Sequence, residues 1–223
     1  MTQLNTKQST SMAYNEVESN DSVKYLVIKR LLDIIGATLG IIMLSPLFLL
    51  VSVFIKVEDV KGPILFDQIR IGKDGKKFRM YKFRSMVSNA EELKAALMAK
   101  NEAKGPVFKI REDPRITKVG KFIRRTSIDE LPQLINVLKG DMSLVGPRPP
   151  LPNEVVQYSK RQRQRLSVTP GLTCYWQVSG RSNIGFDEWV EMDLEYIKNR
   201  SLTIDIKLIL KTCIVIIGAK DAY

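Results

Sequence analysis

Residues 34–55 read IIGATLGIIMLSPLFLLVSVFI, 22 positions without a charge. A straight helix of that length reaches across a hydrocarbon core of roughly 30 Å. How this stretch sits decides the fold, because the rest of the chain then lies on one side of a bilayer or on both. Length alone gives a single-pass anchor. Two features give something else. Ser45-Pro46 stands at the centre, and proline removes one helical hydrogen bond and bends the chain. Lys29 and Arg30 precede the stretch, while Lys56 and Lys61 follow it; basic flanks favour the cytoplasmic side. A helix that breaks at Ser45-Pro46 and returns to the face it entered satisfies both features. The stretch is a membrane element under either topology.

Composition excludes several chemistries. A chain of 223 residues holds one domain with a proper core. It has no histidine, which removes the usual general base, the Ser-His and Cys-His dyads and the commonest metal ligand. Cys174 and Cys213 are the only cysteines, too few for a zinc cluster or a disulfide framework. Any chemistry falls to Asp, Glu, Lys, Arg, Ser, Thr, Tyr or a hard cation held by oxygen. The formal charge is +11; residues 1–22 carry −2, so the remainder carries +13. Such an excess faces phosphate, lipid head groups or nucleic acid. No RNP-like strand, zinc finger or recognition helix accompanies it, so no nucleic-acid partner is expected.

Residues 1–22, rich in Ser, Asn, Thr and Gln, read as a mobile polar tail. Residues 23–60 read as the membrane helix with its flanks, and 61–223 as one catalytic domain. In ILFDQIRIGKDGKKFRMYKFRSM (64–86), two β-prone runs flank Lys73-Asp74-Gly75, a hairpin turn. SNAEELKAALMAKNEA (88–103) reads as a helix. GPVFKIREDPRITKVGKFIRR (105–125) reads as mixed loop and short strand. A further helix starts near Asp129 and ends at Gly140. GDMSLVGPRPPLP (140–152) reads as extended, EVVQYSKRQRQRL (154–166) as helical and TPGLTCYWQVSGRSN (169–183) as a turn-rich loop. Residues 186–218 read as one or two amphipathic helices.

TSIDELPQ (126–133) places two adjacent carboxylates at the start of that helix. Asp129 as N-cap puts Pro132 in the first turn; alternatively Ser127 and Glu130 form a capping box. Both readings are structural. The setting adds a chemical one, because Lys118, Lys121, Arg124 and Arg125 precede the pair. Carboxylates beside a phosphate-binding surface suit a divalent cation bridging the two. A carboxylate also attacks phosphorus to form an acyl phosphate. GPRPP (146–150) sets Arg148 between prolines, either a plain turn or a guanidinium oriented for bidentate phosphate contact. SGRSN (179–183) repeats the theme at Arg181. The run Lys160, Arg161, Arg163, Arg165 reads as a solvated or head-group-facing surface. Trp176 and Trp189 are core residues or interfacial anchors.

Taken in order, KRLLDIIGA (29–37), LSPLFLL (44–50), GPILFDQIRIGKDGKKFRMYKFRSM (62–86), SIDELPQLINVLKGDMSLVGPRPPLP (127–152), PGLTCYWQVSGRS (170–182) and MDLEYIKNRSLTIDIKLILKT (192–212) resemble the bacterial sugar transferase family, the monotopic polyprenyl-phosphate phosphoglycosyl transferases. The resemblance covers residue 25 onward. The form of residues 105–127 resembles the subgroup that starts exopolysaccharide or O-antigen units, usually with glucose- or galactose-1-phosphate. Cys174-Tyr175 and Asn199-Arg200 depart from the family pattern, and the second departure bears on which sugar is used.

The resemblance implies a transfer of sugar-1-phosphate from a UDP-sugar to undecaprenyl phosphate, with release of UMP and use of Mg²⁺. It implies Asp129 as nucleophile with Glu130 as its partner, both at the metal, and Arg124, Arg148 and Arg181 on phosphate or substrate. It implies that Ser45-Pro46 turns the helix back to the cytoplasmic face of the inner membrane. The expected fold is α/β, mostly helical with a small β-hairpin, with a re-entrant helix-break-helix and interfacial amphipathic helices. The rival is a membrane-anchored scaffold that binds anionic lipid or nucleic acid and catalyses nothing.

Overall fold

The computed structural model describes residues 17, 19, 22–98, 110, 112–179 and 184–218. Helix α1 occupies Val23–Glu58 and is continuous through Ser45-Pro46. The expected break is thus not an interruption of the helix. Pro46 has no N–H to give to the carbonyl of Ile42, four residues earlier. Ser45 Oγ donates to that same carbonyl at 2.8 Å, so the acceptor orphaned by the proline is satisfied by its neighbour.

Two faces run along α1. One is buried against the rest of the chain at Tyr25, Lys29, Asp33, Ala37, Val51 and Ile55, positions that recur at helical spacing. Packing on this side is close: a Cβ added at Gly36 would come within 2.7 Å of Leu144 Cδ1. The other face presents Val27, Leu31, Ile35, Leu39, Ile42, Leu49, Val53 and Val57, each more than half exposed. Such a continuous apolar stripe marks a surface made for something other than water. The helix is long and apolar enough to cross a membrane, yet both its ends lie against the same domain.

Strands β1 (Leu65–Ile71) and β2 (Lys77–Phe83) form the expected antiparallel hairpin around Lys73–Gly75, with Gln68 opposite Met80. Helix α2 spans Ala90–Leu97. Helix α3, Lys118–Arg125, lies where loop and short strand were expected. Its only large apolar residues are Val119, Phe122 and Ile123 among four cations and a glycine, too thin a pattern for periodicity to show. Thr117 caps it, accepting from Gly120 N at 2.9 Å. Helix α4 is Gln133–Lys139, ending at Gly140 with φ 86°.

The segments read as extended or turn-rich pair with each other. β3 (Ser143–Val145) and β4 (Gly171–Thr173) are parallel, with Ser143 opposite Gly171 and Val145 opposite Thr173. Between them stand two short helices, α5 (Pro152–Val156) and α6 (Lys160–Arg163), and a 3-10 turn over Gln164–Ser167. Two helices close the chain, α7 (Phe186–Asn199) and α8 (Leu202–Gly218). Among the described residues the chain is thus largely helical with a small antiparallel hairpin.

Three apolar clusters hold these parts together. Ala37, Met80, Leu134, Val137 and Met142 join the first half of α1 to the hairpin and α4. Val51, Ile55, Phe83 and Ile123 join its second half to β2 and α3. Val145, Cys174, Val190, Leu194 and Ile197 form part of the core beneath β3, β4 and α7.

Candidate active site

Between α3 and α4 the chain must reverse within a few residues. Ser127 adopts φ 55°, ψ 16°, a left-handed conformation that costs a non-glycine residue of order 1 kcal/mol. A 3-10 turn over Ile128–Glu130 follows. Helix α4 begins beyond it, with Pro132 at the N-cap and no side-chain cap bond. The helix therefore starts later than expected, and Asp129 does not cap it. Neither does a Ser127 capping box, because Ser127 makes no side-chain cap bond to the 3-10 turn. Strain at Ser127 and a carboxylate unused by capping occur side by side.

Asp129 is buried, only 7% exposed. Burial pushes its carboxyl up to about 6; Lys82 and Arg124 oppose this by favouring the anion, and Glu130 adds to it. Lys82, on β2, donates to Glu130 Oε1 at 2.6 Å. Arg124, in the last turn of α3, donates through Nε to Ser85 Oγ at 2.8 Å. Two elements thus converge on the turn that carries both carboxylates: β2 with Lys82 and the end of α3 with Arg124. Among the described residues no group of three or more His, Cys, Asp or Glu converges. Two carboxylates nevertheless suit Mg²⁺, which takes one or two from protein and fills its shell with water and substrate phosphate.

Arg148 lies in a segment whose prolines supply no N–H groups, and its carbonyls are served from outside. Pro147 O accepts from Gly171 N at 2.9 Å and Pro150 O from Ile71 N at 3.0 Å. Arg165 Nη2 donates to Arg148 O at 3.4 Å and Arg70 Nη1 to Pro149 O at 3.0 Å. With its backbone held this way, Arg148 stands over the Trp176 ring at 5.9 Å. Arg181 lies outside the described residues.

Arg165 is not the surface residue expected from its basic run. It is 2% exposed, donates to Asp193 Oδ2 through Nε at 2.8 Å and to Tyr158 OH through Nη1 at 2.8 Å, and stacks 4.6 Å from the Trp189 ring. Burial raises Asp193 to about 6 against the pull of Arg165. Trp176 and Trp189 pack on each other at 4.7 Å, half-buried within the domain, which favours the core reading of both.

Two cations at this site were missed from sequence. Lys82 and Arg70 both sit on the hairpin, where strand alternation alone does not say which face meets the site. Arg70 is buried between Ile69 and Ile71. Burial, and then the nearby Arg148 cation, pull its guanidinium down to about 9, while Glu154 and Glu130 push the other way. Arg70 thus feels both the Arg148 segment and the carboxylate turn. Two neighbouring guanidiniums repel each other, and an anion between them removes the repulsion.

The bacterial sugar transferase family matches residues 24–219. Galactosyl transferase CpsE of Streptococcus agalactiae is 50% identical over 202 residues, covering 88% of this chain and 44% of that protein. An undecaprenyl-phosphate galactose phosphotransferase of Salmonella typhimurium is 44% identical over 200 residues, covering 88% and 42%. The exopolysaccharide production protein ExoY of Sinorhizobium fredii is 38% identical over 199 residues, covering 87% and 88%. The chain thus spans less than half the length of the first two relatives and most of the length of the third.

Proposed function

The chain belongs to the bacterial sugar transferase family, and from that premise we propose that it transfers a hexose-1-phosphate from a UDP-sugar to undecaprenyl phosphate as the first membrane step of a surface polysaccharide. The observation that carries this reading is the buried Asp129 carboxylate, held beside Lys82, Arg124 and Glu130 in a turn it does not cap. The names of the relatives, an undecaprenyl-phosphate galactose phosphotransferase among them, support the substrate class.

In the first step an Asp129 oxygen attacks the phosphorus that carries the sugar. The bond from that phosphorus to the bridging oxygen breaks, and UMP leaves with the electron pair. In the second step an oxygen of the lipid phosphate attacks the acyl phosphate. The bond to Asp129 breaks, and the sugar diphospholipid forms with the carboxylate restored. Arg124, Arg148 and Arg181, with Lys82 and Arg70, hold phosphate oxygens and meet the charge that develops on them. Asp129 and Glu130 would hold Mg²⁺, which supplies charge neutralisation on the diphosphate.

A lipid phosphate and a soluble nucleotide meet only at a membrane surface. The stripe on α1, whose two ends return to one domain, supports a monotopic arrangement in which residues 23–60 enter one leaflet on the cytoplasmic side, residues 61–223 form the catalytic domain and residues 1–22 are an appended tail. Ile206, Leu210 and Ile214, exposed at four-residue spacing on α8, extend the apolar surface as an interfacial helix does.

The test is nucleotide release before the acceptor is added. Membranes holding the chain, given a UDP-hexose and no lipid phosphate, release one UMP per site. Asp129→Asn, which keeps size, abolishes both that burst and turnover. An active Asp129→Asn enzyme would end the covalent route, and release of UDP instead of UMP would make the chain a glycosyl transferase.

A further inference from the structure

Asp129 lies between two short helices, one leading into its turn and one leading out, and α1 binds both. Arg30 Nη1 and Nη2 donate to Val137 O at 2.6 Å and Leu138 O at 2.7 Å. Those carbonyls end α4, where intrahelical partners run out and the helix dipole favours a cation. At the far end of α1, Glu58 accepts from Lys118 N at 2.7 Å and Val119 N at 3.0 Å. Those amides begin α3, where donors are orphaned and the dipole favours an anion. Two further groups on the same helix reach the strand that leads to Arg148. Asp33 Oδ1 accepts from Ser143 Oγ at 3.0 Å and Leu144 N at 2.8 Å. Lys29 Nζ donates to Val145 O at 2.9 Å, and to Asp205.

Read from sequence, Lys29 and Arg30 are a flank that orients a membrane segment. Here Lys29 is 8% exposed and paired with Asp205 and the Val145 carbonyl, while Arg30 directs its charge at the carbonyls that end α4. From these contacts, and resting on the reaction proposed above, we propose that α1 is a bracket that positions the Asp129–Glu130 turn, with Arg30 and Glu58 as its positioning residues. Neither meets the reacting atoms. Each holds the far end of one of the helices that flank the turn, so the strained Ser127 between them is braced from both sides. The membrane helix then contributes to turnover and not only to anchoring.

The test uses the full chain in phospholipid vesicles, with Arg30→Gln, Arg30→Lys and Glu58→Ala compared to the unaltered protein. The readouts are membrane-bound fraction, kcat and KM for a UDP-hexose, and amide hydrogen exchange at residues 126–131. The bound fraction stays unchanged, because the apolar stripe is untouched. Misplacing a reacting group by a fraction of an ångström lowers kcat about tenfold for Arg30→Gln and Glu58→Ala, with donor KM within about twofold. Exchange at 126–131 quickens in both. Arg30→Lys, which lacks the planar fork for two carbonyls, recovers part of the loss. Unchanged kcat per bound molecule, or activity lost only in step with bound protein, overturns the bracket. Should the unaltered chain release no UMP, the proposed reaction falls while exchange at 126–131 still decides the bracket: unchanged rates in the variants overturn it.

Discussion

Asp129 pays for its position in stability. Its carboxyl ordinarily titrates near 3.8, and in the folded chain it does so at about 6. Between these values the unfolded chain ionises while the folded one resists, so stability falls as pH rises through that window and the deficit is complete above it. Asparagine has no proton to lose. In metal-free buffer, Asp129→Asn should therefore match the parent in stability near pH 4 and exceed it at pH 7 by about 1 to 3 kcal/mol. Thermal melts across pH 4 to 7 check this. A helix-capping aspartate would behave otherwise, since asparagine caps about equally well and would bring no gain at pH 7. The pairing of Asp129 with Glu130 was legible in TSIDELPQ, Arg124 in the basic run before it and Arg148 in GPRPP. Lys82 and Arg70 were not, because a cation on a strand shows its partner only when the sheet is placed. Arg165 reads as a surface residue in its basic run for the same reason: its acceptor, Asp193, lies on α7, 28 residues along the chain.

At the scale of elements, α1 and the hairpin could be read directly. A charge-free run announces a long apolar helix, and Lys73-Asp74-Gly75 between β-prone runs announces a tight turn. What α1 does at Ser45-Pro46 is subtler. The chain stays helical because the serine hydroxyl takes over the Ile42 carbonyl. Under the monotopic reading, cysteines placed one at a time at Ser22 and at Lys61 should both react only with a reagent on the cytoplasmic side. Pro46→Leu should restore the missing hydrogen bond and move some molecules to a spanning form, with the two labels then on opposite sides. Opposite labelling in the unaltered background would rule out the re-entrant arrangement. The parallel pair β3–β4 escaped detection because each strand is three residues long. Period-two alternation cannot register over so short a span, and the pairing is between segments that stand far apart in the chain.

For the molecule as a whole, two kinds of attraction to a bilayer are built into the chain. A charge of +11 is drawn to anionic lipid and fades with salt, since the screening length shrinks to about 3 Å at 1 M. The apolar stripe of α1 does not fade. Vesicle flotation should show binding that survives 1 M salt and neutral lipid, whereas a variant with aspartate at Ile35, Ile42 and Leu49 should float only on anionic vesicles at low salt. Full release of the parent by salt would make α1 a core helix with an accidental stripe. The sequence by itself determined that there is one long apolar helix, that no histidine chemistry and no cysteine metal cluster is available, that a hairpin follows, and that an Asp-Glu pair stands near several arginines. Those properties are local, written in composition, periodicity and neighbours within a turn. Only the tertiary structure decided which cations meet Asp129, that Arg70 and Arg165 are buried against the Arg148 segment, and that both ends of α1 reach the helices around the turn. Burial and charge contact depend on surfaces far apart in sequence coming together, and the free energy of a carboxylate is set by what surrounds it in space.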